Sequence, residues 1–445
     1  MRTTLALRLT LCLCLALCLT ACWRQTTTTT ALTSFVHVDN TGFNIGDSDY
    51  HFLGANFWYG LNLGAQGAGG DRQRLIRELD RLQHMGVNNL RIMAGSEGPD
   101  NQPYRMVPAL QTGPGQYNPA VLDGLDFLLQ EMKARDMRAV MCLSNFWPWS
   151  GGFGQYIVWS GTADSIPYPP PHPGGDWNRY QEFTAKFYTN AKAVSMLNDH
   201  ITFMVNRTNA LTGIAYKSDP TIMAWQLCNE PRGLNNVAAY KQWVDETAAL
   251  IKSLDANHLV TIGSEGNTSS PAFSGTDPET VHAFKNIDYI TMHLWVQNWG
   301  VYDPLKADST FEPAVAYALD YIRTHEAMAR KLNKPLVMEE FGISRDSNRH
   351  DAGSPTTIRD RYYQKIFEEI YTQASKPNAV IAGCNFWAWG GEGRPHTPGG
   401  IWKPGDDFIG DPPHETQGWY SVFDTDTSTQ RVIKTYAGRI SDIKK

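Results

Sequence analysis

Two apolar runs in this 445-residue chain end in glutamate. Trp225-Gln226-Leu227-Cys228-Asn229-Glu230-Pro231 runs into Asn-Glu, after which Pro231-Arg232-Gly233 turns the chain. Leu336-Val337-Met338-Glu339-Glu340-Phe341-Gly342 does the same, and Gly342 allows a sharp exit. Strand ends from distant parts of a chain meet at the C-terminal mouth of a parallel barrel. Two carboxylates held there can cleave a glycosidic bond with retention. One protonates the leaving oxygen and the other attacks the anomeric carbon, across a gap of roughly 5–5.5 Å. Singly, Asn229-Glu230-Pro231 could cap a helix and Glu340 could be a loop charge. Both at strand ends of one barrel make the stronger pattern, so Glu230 and Glu340 are the expected catalytic pair.

The rest of the chain supplies elements that could hold them. Strands are expected at Phe52 to Trp58, Asn88 to Met93, Arg138 to Ser144, Ile222 to Leu227, Leu259 to Ile262, Ile287 to Met292, Pro335 to Met338 and Val380 to Phe386. These short runs are apolar on both faces, as strands covered on both sides are. Helical stretches alternate with them: Asp71 to Gln83, Pro119 to Ala134, Trp177 to Val205, Asn236 to Leu254, Glu312 to Leu332, Ser354 to Ala374 and Thr429 to Ile443. Eight strands in alternation with helices favour a (β/α)8 TIM barrel over a doubly wound sheet. In this order the two glutamates follow the fourth and seventh strands. A hairpin over Phe35 to Phe52 is expected to close the barrel bottom. Two long loops, Trp147 to Asp176 and Gly390 to Gly418, follow strands and so belong at the mouth; structureless loops of that length usually form lids or binding walls.

With these motifs the sequence resembles glycoside hydrolase family five, whose two glutamates follow strands four and seven of a (β/α)8 barrel. Asn229-Glu230-Pro231 is similar to the family's acid/base motif, and Glu340-Phe341-Gly342 to its nucleophile motif. The resemblance implies Glu230 as acid/base and Glu340, rather than Glu339, as nucleophile. Alternation along a strand also points only one of two neighbours at the cleft. Leu90-Arg91-Ile92 resembles the strand whose Arg binds the nucleophile, which would lower the pKa of Glu340. The resemblance further implies substrate-binding roles for Asn229 at the sugar 2-hydroxyl, for His293, and for Trp387 under the reacting sugar. The family often has Tyr where Trp295 stands and His where Asn145 stands, and both positions are expected to touch substrate. These variants, with Trp147, Trp149 and Gln417-Gly418-Trp419-Tyr420, look like the mannan-degrading branch.

Composition narrows the alternatives. A formal charge of −6 leaves no basic field for nucleic acid. Twelve His residues form no HExxH or clustered metal motif, and no metal or cofactor is called for. The 14 Trp, 19 Tyr and 18 Phe could serve a core or stack on sugar rings. Residues 1–22 read as a targeting segment: Arg2, Arg8, an apolar run from Leu9 to Leu19, then Leu19-Thr20-Ala21-Cys22. This looks like a bacterial lipoprotein processing box, which implies lipidation at Cys22, a Thr-rich tether over 23–33 and an outer-membrane anchor. One catalytic domain is expected over 34–445, as a monomer. Cys142, Cys228 and Cys384 are expected as buried free thiols. The loop Gly390 to Gly418, with Arg394 as a candidate substrate contact, could wall off one end of the cleft. An exo-acting β-mannosidase on manno-oligosaccharides and mannan is therefore favoured. The alternatives are an endo-β-1,4-mannanase, a β-1,4-glucanase, or a non-catalytic glycan-binding lipoprotein.

Overall fold

In the computed structural model, which describes residues 34–444, eight parallel strands surround a central core. The targeting segment with Cys22 and the tether lie outside the described residues. The strands are β1 (Phe52–Asn56), β2 (Asn89–Met93), β3 (Arg138–Cys142), β4 (Ile222–Gln226), β5 (Leu259–Thr261), β6 (Ile290–Leu294), β7 (Leu336–Phe341) and β8 (Ile381–Phe386). Every residue in them is buried, as strands covered on both faces require. They pair in the order β5-β4-β3-β2-β1-β8-β7-β6. The remaining seam is joined outside the regular ladder. The Asp288 amide donates to the Val260 carbonyl (2.8 Å), the Val260 amide donates to the Asp288 carboxylate (2.6 Å), and the His293 amide donates to the Glu265 carbonyl (3.0 Å). The expected (β/α)8 barrel is present.

Helices α1 (Arg72–His84), α2 (Pro119–Lys133), α3 (Ala191–Asn206), α4 (Val237–Leu254), α5 (Pro278–His282), α6 (Ala307–Leu332), α7 (Thr357–Ala374) and α8 (Thr427–Ser441) follow the strands in turn. Side-chain caps set several starts. Asp71 accepts from the Arg74 amide, and Asn118 accepts from the Ala120 amide with Pro119 in the first turn. The single helix expected over Trp177 to Val205 is broken. Asn190 leaves helical geometry (φ −102°, ψ 90°) and its side chain takes the Ala193 amide, so it starts α3 afresh behind a separate helix, Trp177–Thr184. The loop after β3 is also less irregular than expected, since Gly152–Trp159 is helical.

The strand read at Ile287 to Met292 begins three residues later, because Asp288 is spent on the seam. β7 runs through both glutamates instead of stopping before them. Opposite β6 it carries a bulge: Met292 faces Met338, but His293 faces Glu340. At the barrel bottom, three short antiparallel strands (Val36–Asp39, Gly42–Ile45, Ser48–Asp49) plug the core. Phe43 meets the Tyr289 ring edge-on at 5.4 Å and packs with Phe52 at 6.4 Å. Full burial of one such ring contributes about 1.5–3 kcal/mol. Cys142, Cys228 and Cys384 are free and buried.

Candidate active site

Glu230 reaches the mouth because β4 keeps following β5 past its last ladder pair. The Leu227 amide donates to Thr261 (2.9 Å), the Cys228 amide to Ile262 (3.1 Å) and the Glu230 amide to the Gly263 carbonyl (2.9 Å). Glu230 itself sits in the left-handed region at φ 52°, an uncommon place for a residue with a side chain. Gly263 permits the close approach: a Cβ there would lie 2.1 Å from the Cys228 carbonyl oxygen.

Glu340 enters from β7. An oxygen of Glu230, a nitrogen of His293 and an oxygen of Glu340 all lie within 4.8 Å of one another. Carboxylate oxygens that approach this closely are compatible with the roughly 5–5.5 Å between the carboxyl groups of a retaining pair. The imidazole of His293 stands between the carboxylates. Its Nδ1 is 2.6 Å from Glu230 Oε1 and 3.3 Å from Glu340 Oε2. Glu230 Oε2 accepts from the Trp147 indole N–H at 2.5 Å.

Arg91 lies beneath, buried, with every arm engaged. It pairs with Glu340, and it donates to Gln226 Oε1 (2.8 Å), Asn56 Oδ1 (3.1 Å) and Asn229 Oδ1 (2.7 Å). Glu339 is 3.6 Å from Arg91 and accepts from Gln226 at 2.6 Å. The bulge thus turns both neighbours toward one guanidinium, and strict alternation does not hold here. Glu340 lines the cleft; Glu339 does not.

Electrostatics divide the pair. Burial pushes Glu340 up to about 7, outweighing the pull of His293 and Arg91. The expected lowering by Arg91 is therefore overcome by desolvation. Glu230 is buried too, but its bonds from His293 and Trp147 and the charges of His293 and Arg232 bring it below the usual carboxylate value. His293 resists burial and rises to about 10, because Glu340, Glu230 and Glu339 all favour its cation. The balance thus favours a proton on Glu340 over Glu230, with His293 between them favouring its cation.

Around this centre is a cleft of about 670 Å3. Trp295 and Trp387 meet at 5.8 Å and 82° on the Glu340 side. Arg232 and Glu265 pair at 2.6 Å on the β4–β5 side, and the Arg232 guanidinium lies 5.0 Å from the centroid of the Trp147 ring. Asn229 faces the cleft and donates to Asn145 Oδ1 (3.1 Å), which sits one layer behind. The segment after β8 contributes His414 and Glu415; burial raises the Glu415 carboxyl well above its ordinary value, and its Oε2 has no partner. A groove of about 880 Å3 at the barrel bottom contains none of these strand-end groups.

The structure gathers Glu230, Glu340, Arg91, Asn145, Asn229, His293, Trp295 and Trp387 at one place. It does not bring Arg394 there. That guanidinium pairs with Asp424, donates to the Gly391 and Gly393 carbonyls at 2.9 Å each, and lies 5.2 Å from the Phe423 ring, so it braces the loop from behind. The sequence patterns assign no site role to Asn56, Trp147, Arg232 and Glu265, which the structure places at the site. Asn56 ends a strand and Arg232 follows Glu230 by two residues, which were usable signals. Trp147 stands among the residues that resemble the mannan-degrading branch, but nothing local in the sequence signals its bond to Glu230.

Comparison with known proteins gives a consistent result. The family model described as GH family 5 beta-mannosidase-like matches residues 33–445. A glycoside hydrolase family 5 mannosidase from Rhizomucor miehei is 42% identical, with TM-score 0.85 over 93% of this chain and 99% of that one; a mutant of it was solved in complex with mannosyl-fructose. Mannan endo-1,4-beta-mannosidase 5 of Solanum lycopersicum is 32% identical over 369 residues, 79% of this chain and 80% of its own length. An endo-beta-1,4-mannanase from Thermotoga petrophila, at 23% identity and TM-score 0.67 over 89% of this chain and 78% of that one, shares the fold.

Proposed function

This chain belongs to the β-mannosidase-like branch of glycoside hydrolase family 5 and is an O-glycoside hydrolase, and from that premise we propose that it removes single mannose units from the non-reducing ends of β-1,4-manno-oligosaccharides with retention. One observation carries the exo reading. The segment after β8 does not run straight to α8 but passes over the β1 end and α1. Trp58 Nε1 donates to the Gly410 carbonyl (2.9 Å), Arg74 donates to the Phe408 carbonyl (2.8 Å), and His414 reaches the β3 side, 5.9 Å from Trp177. The segment thus covers the arc from β8 past β1 toward the β3 side, while Arg232 and Glu265 line the cleft at β4 and β5. Glu230 follows β4, so a leaving group protonated by it exits on the β4–β5 side, opposite that segment. The sugar being cleaved lies under the wall, over Trp387.

The chemistry follows from the geometry. A Glu340 oxygen attacks the anomeric carbon, the bond to the leaving oxygen breaks, and Glu230 gives that oxygen its proton. Water, deprotonated by Glu230, then attacks the same carbon and releases Glu340. In the empty site Glu340 is the better proton acceptor, so the proton must reach Glu230. His293 Nδ1 touches both: it can give its proton to Glu230 and take one from Glu340. Arg91 and the imidazolium then face an ionised nucleophile. Asn229 is set to bind the sugar 2-hydroxyl, and Glu415 has an unpartnered oxygen for another.

A second reading, endo-β-1,4-mannanase, is favoured by the activity named for the tomato relative. Early products from soluble mannan decide: mannose alone supports the exo reading, and a ladder of oligosaccharides refutes it. We further propose that Cys22 carries a lipid anchor at the outer membrane. Ser34, the first described residue, lies at the barrel bottom, its carbonyl 3.5 Å from Arg138. Metabolic labelling with a fatty-acid analogue, lost in Cys22→Ala, tests the anchor.

A further inference from the structure

We propose that Trp177 is the second half of the wall and a residue that restricts this enzyme to one sugar at a time. The proposal rests on the exo reading above. The β8 segment cannot close the cleft alone; it needs something to meet on the β3 side. There the His414 ring abuts the Trp177 indole at 5.9 Å and 72°, and Trp177 in turn meets Trp147 edge-on at 5.7 Å.

Trp177 is 37% exposed. Its indole stands at the cleft rim, in contact with Trp147, Tyr180 and His414. It is not loosely held. It opens the helix Trp177–Thr184, whose first turn is capped by Asp176 accepting from the Arg179 amide at 2.7 Å. The helix is pinned by Tyr180, donating to the Phe146 carbonyl at 2.8 Å, and by Gln181, accepting from Arg232 at 2.8 Å. The groups that fix the indole also flank Glu230. A second sugar extending beyond the cleaved one, away from the β4–β5 side, meets this indole–imidazole contact. Trp177, Pro170, Pro171 and His414 all line the cleft, so removing the indole widens it beside His414.

The test is Trp177→Ala, with Trp177→Leu as a milder truncation should the first fold poorly. Early products from mannopentaose and soluble mannan are resolved, and kcat/KM is measured on an aryl β-mannoside, which occupies only the cleaved-sugar site and the β4–β5 side. The proposal expects mannobiose and longer products from the variants at early times. It expects kcat/KM for the pentaose relative to the aryl mannoside to shift by about tenfold or more, the scale of one lost pocket contact. Mannose as sole early product from folded variants overturns it. An aryl mannoside loss as large as the pentaose loss also overturns it, because Trp177 would then act on the cleaved sugar. A ladder from the unmodified enzyme removes the exo reading itself, a failure visible without either variant.

Discussion

Arg91→Met isolates the electrostatics of the nucleophile. The substitution keeps an apolar stem and deletes a guanidinium that pairs with Glu340 and holds Asn56, Gln226 and Asn229. Glu340 already sits at about 7 with Arg91 in place. An adjacent Arg lowers a carboxyl by about 1–3 units, so its loss raises Glu340 by that much, or about 1.4–4 kcal/mol against the ionised form. At pH 6 the ionised fraction falls by a further ~10- to 1,000-fold, and kcat/KM falls with it. Stability falls as well, since breaking a buried pair costs about 3–5 kcal/mol. Thermal melting reads that loss separately. The diagnostic assay is kcat/KM against pH. In the intact enzyme the active form carries one proton on the carboxylate pair, so the profile is a bell whose alkaline limb lies near 7. In Arg91→Met that limb moves to higher pH. A large loss of rate with an unmoved limb would show that Arg91 only positions its neighbours, and the electrostatic reasoning would be wrong.

Other outcomes follow from the same site. Glu230→Ala should slow mannobiose by about 100-fold or more while sparing aryl mannosides with good leaving groups, as loss of a general acid does; equal losses on both would refute its role. Trp147→Phe removes the indole N–H from Glu230, so the acid limb of the pH profile should move up, and an unchanged limb would mean the bond contributes nothing. His293, raised to about 10 from 6.5, stabilises the fold fully below pH 6.5, and that contribution is lost as pH rises through 10; His293→Phe should therefore flatten the alkaline fall in melting temperature. Arg394→Ala should leave kcat/KM within about threefold, since its bonds brace a loop and none reaches the cleft.

The groups that end strands were legible in the sequence. An apolar run followed at once by Asn-Glu or Glu-Phe-Gly marks a strand opening into a mouth, and this picks out Glu230 and Glu340, while the roles of Asn229 and Trp387 come with the resemblance to family five. What depends on register was not legible. The bulge that turns Glu339 and Glu340 toward one arginine arises from β6 pairing with β7, and no local signal records it. Asp288 was read inside a strand because its neighbours are apolar, although its carboxylate closes the barrel seam. Arg394 was placed in the cleft because its loop is rich in polar groups, but Asp424 and the carbonyls beside it take up the charge. The break at Asn190 was readable in principle, since Asn before an apolar-periodic run is a helix start. The meeting of Trp177 with His414 depends on how two long loops fold, which composition does not encode.

The central claim is that Glu340 forms a covalent bond to the sugar during turnover. A 2-deoxy-2-fluoro mannosyl donor with a good leaving group slows both steps but lets the first outrun the second. Intact mass followed by peptide mapping reads the adduct. One added fluoromannosyl unit is expected, located on the peptide containing Glu340 and absent in Glu340→Ala, with activity recovering as the ester turns over. Inactivation without an adduct, or an adduct on Glu339 or Glu230, would contradict it.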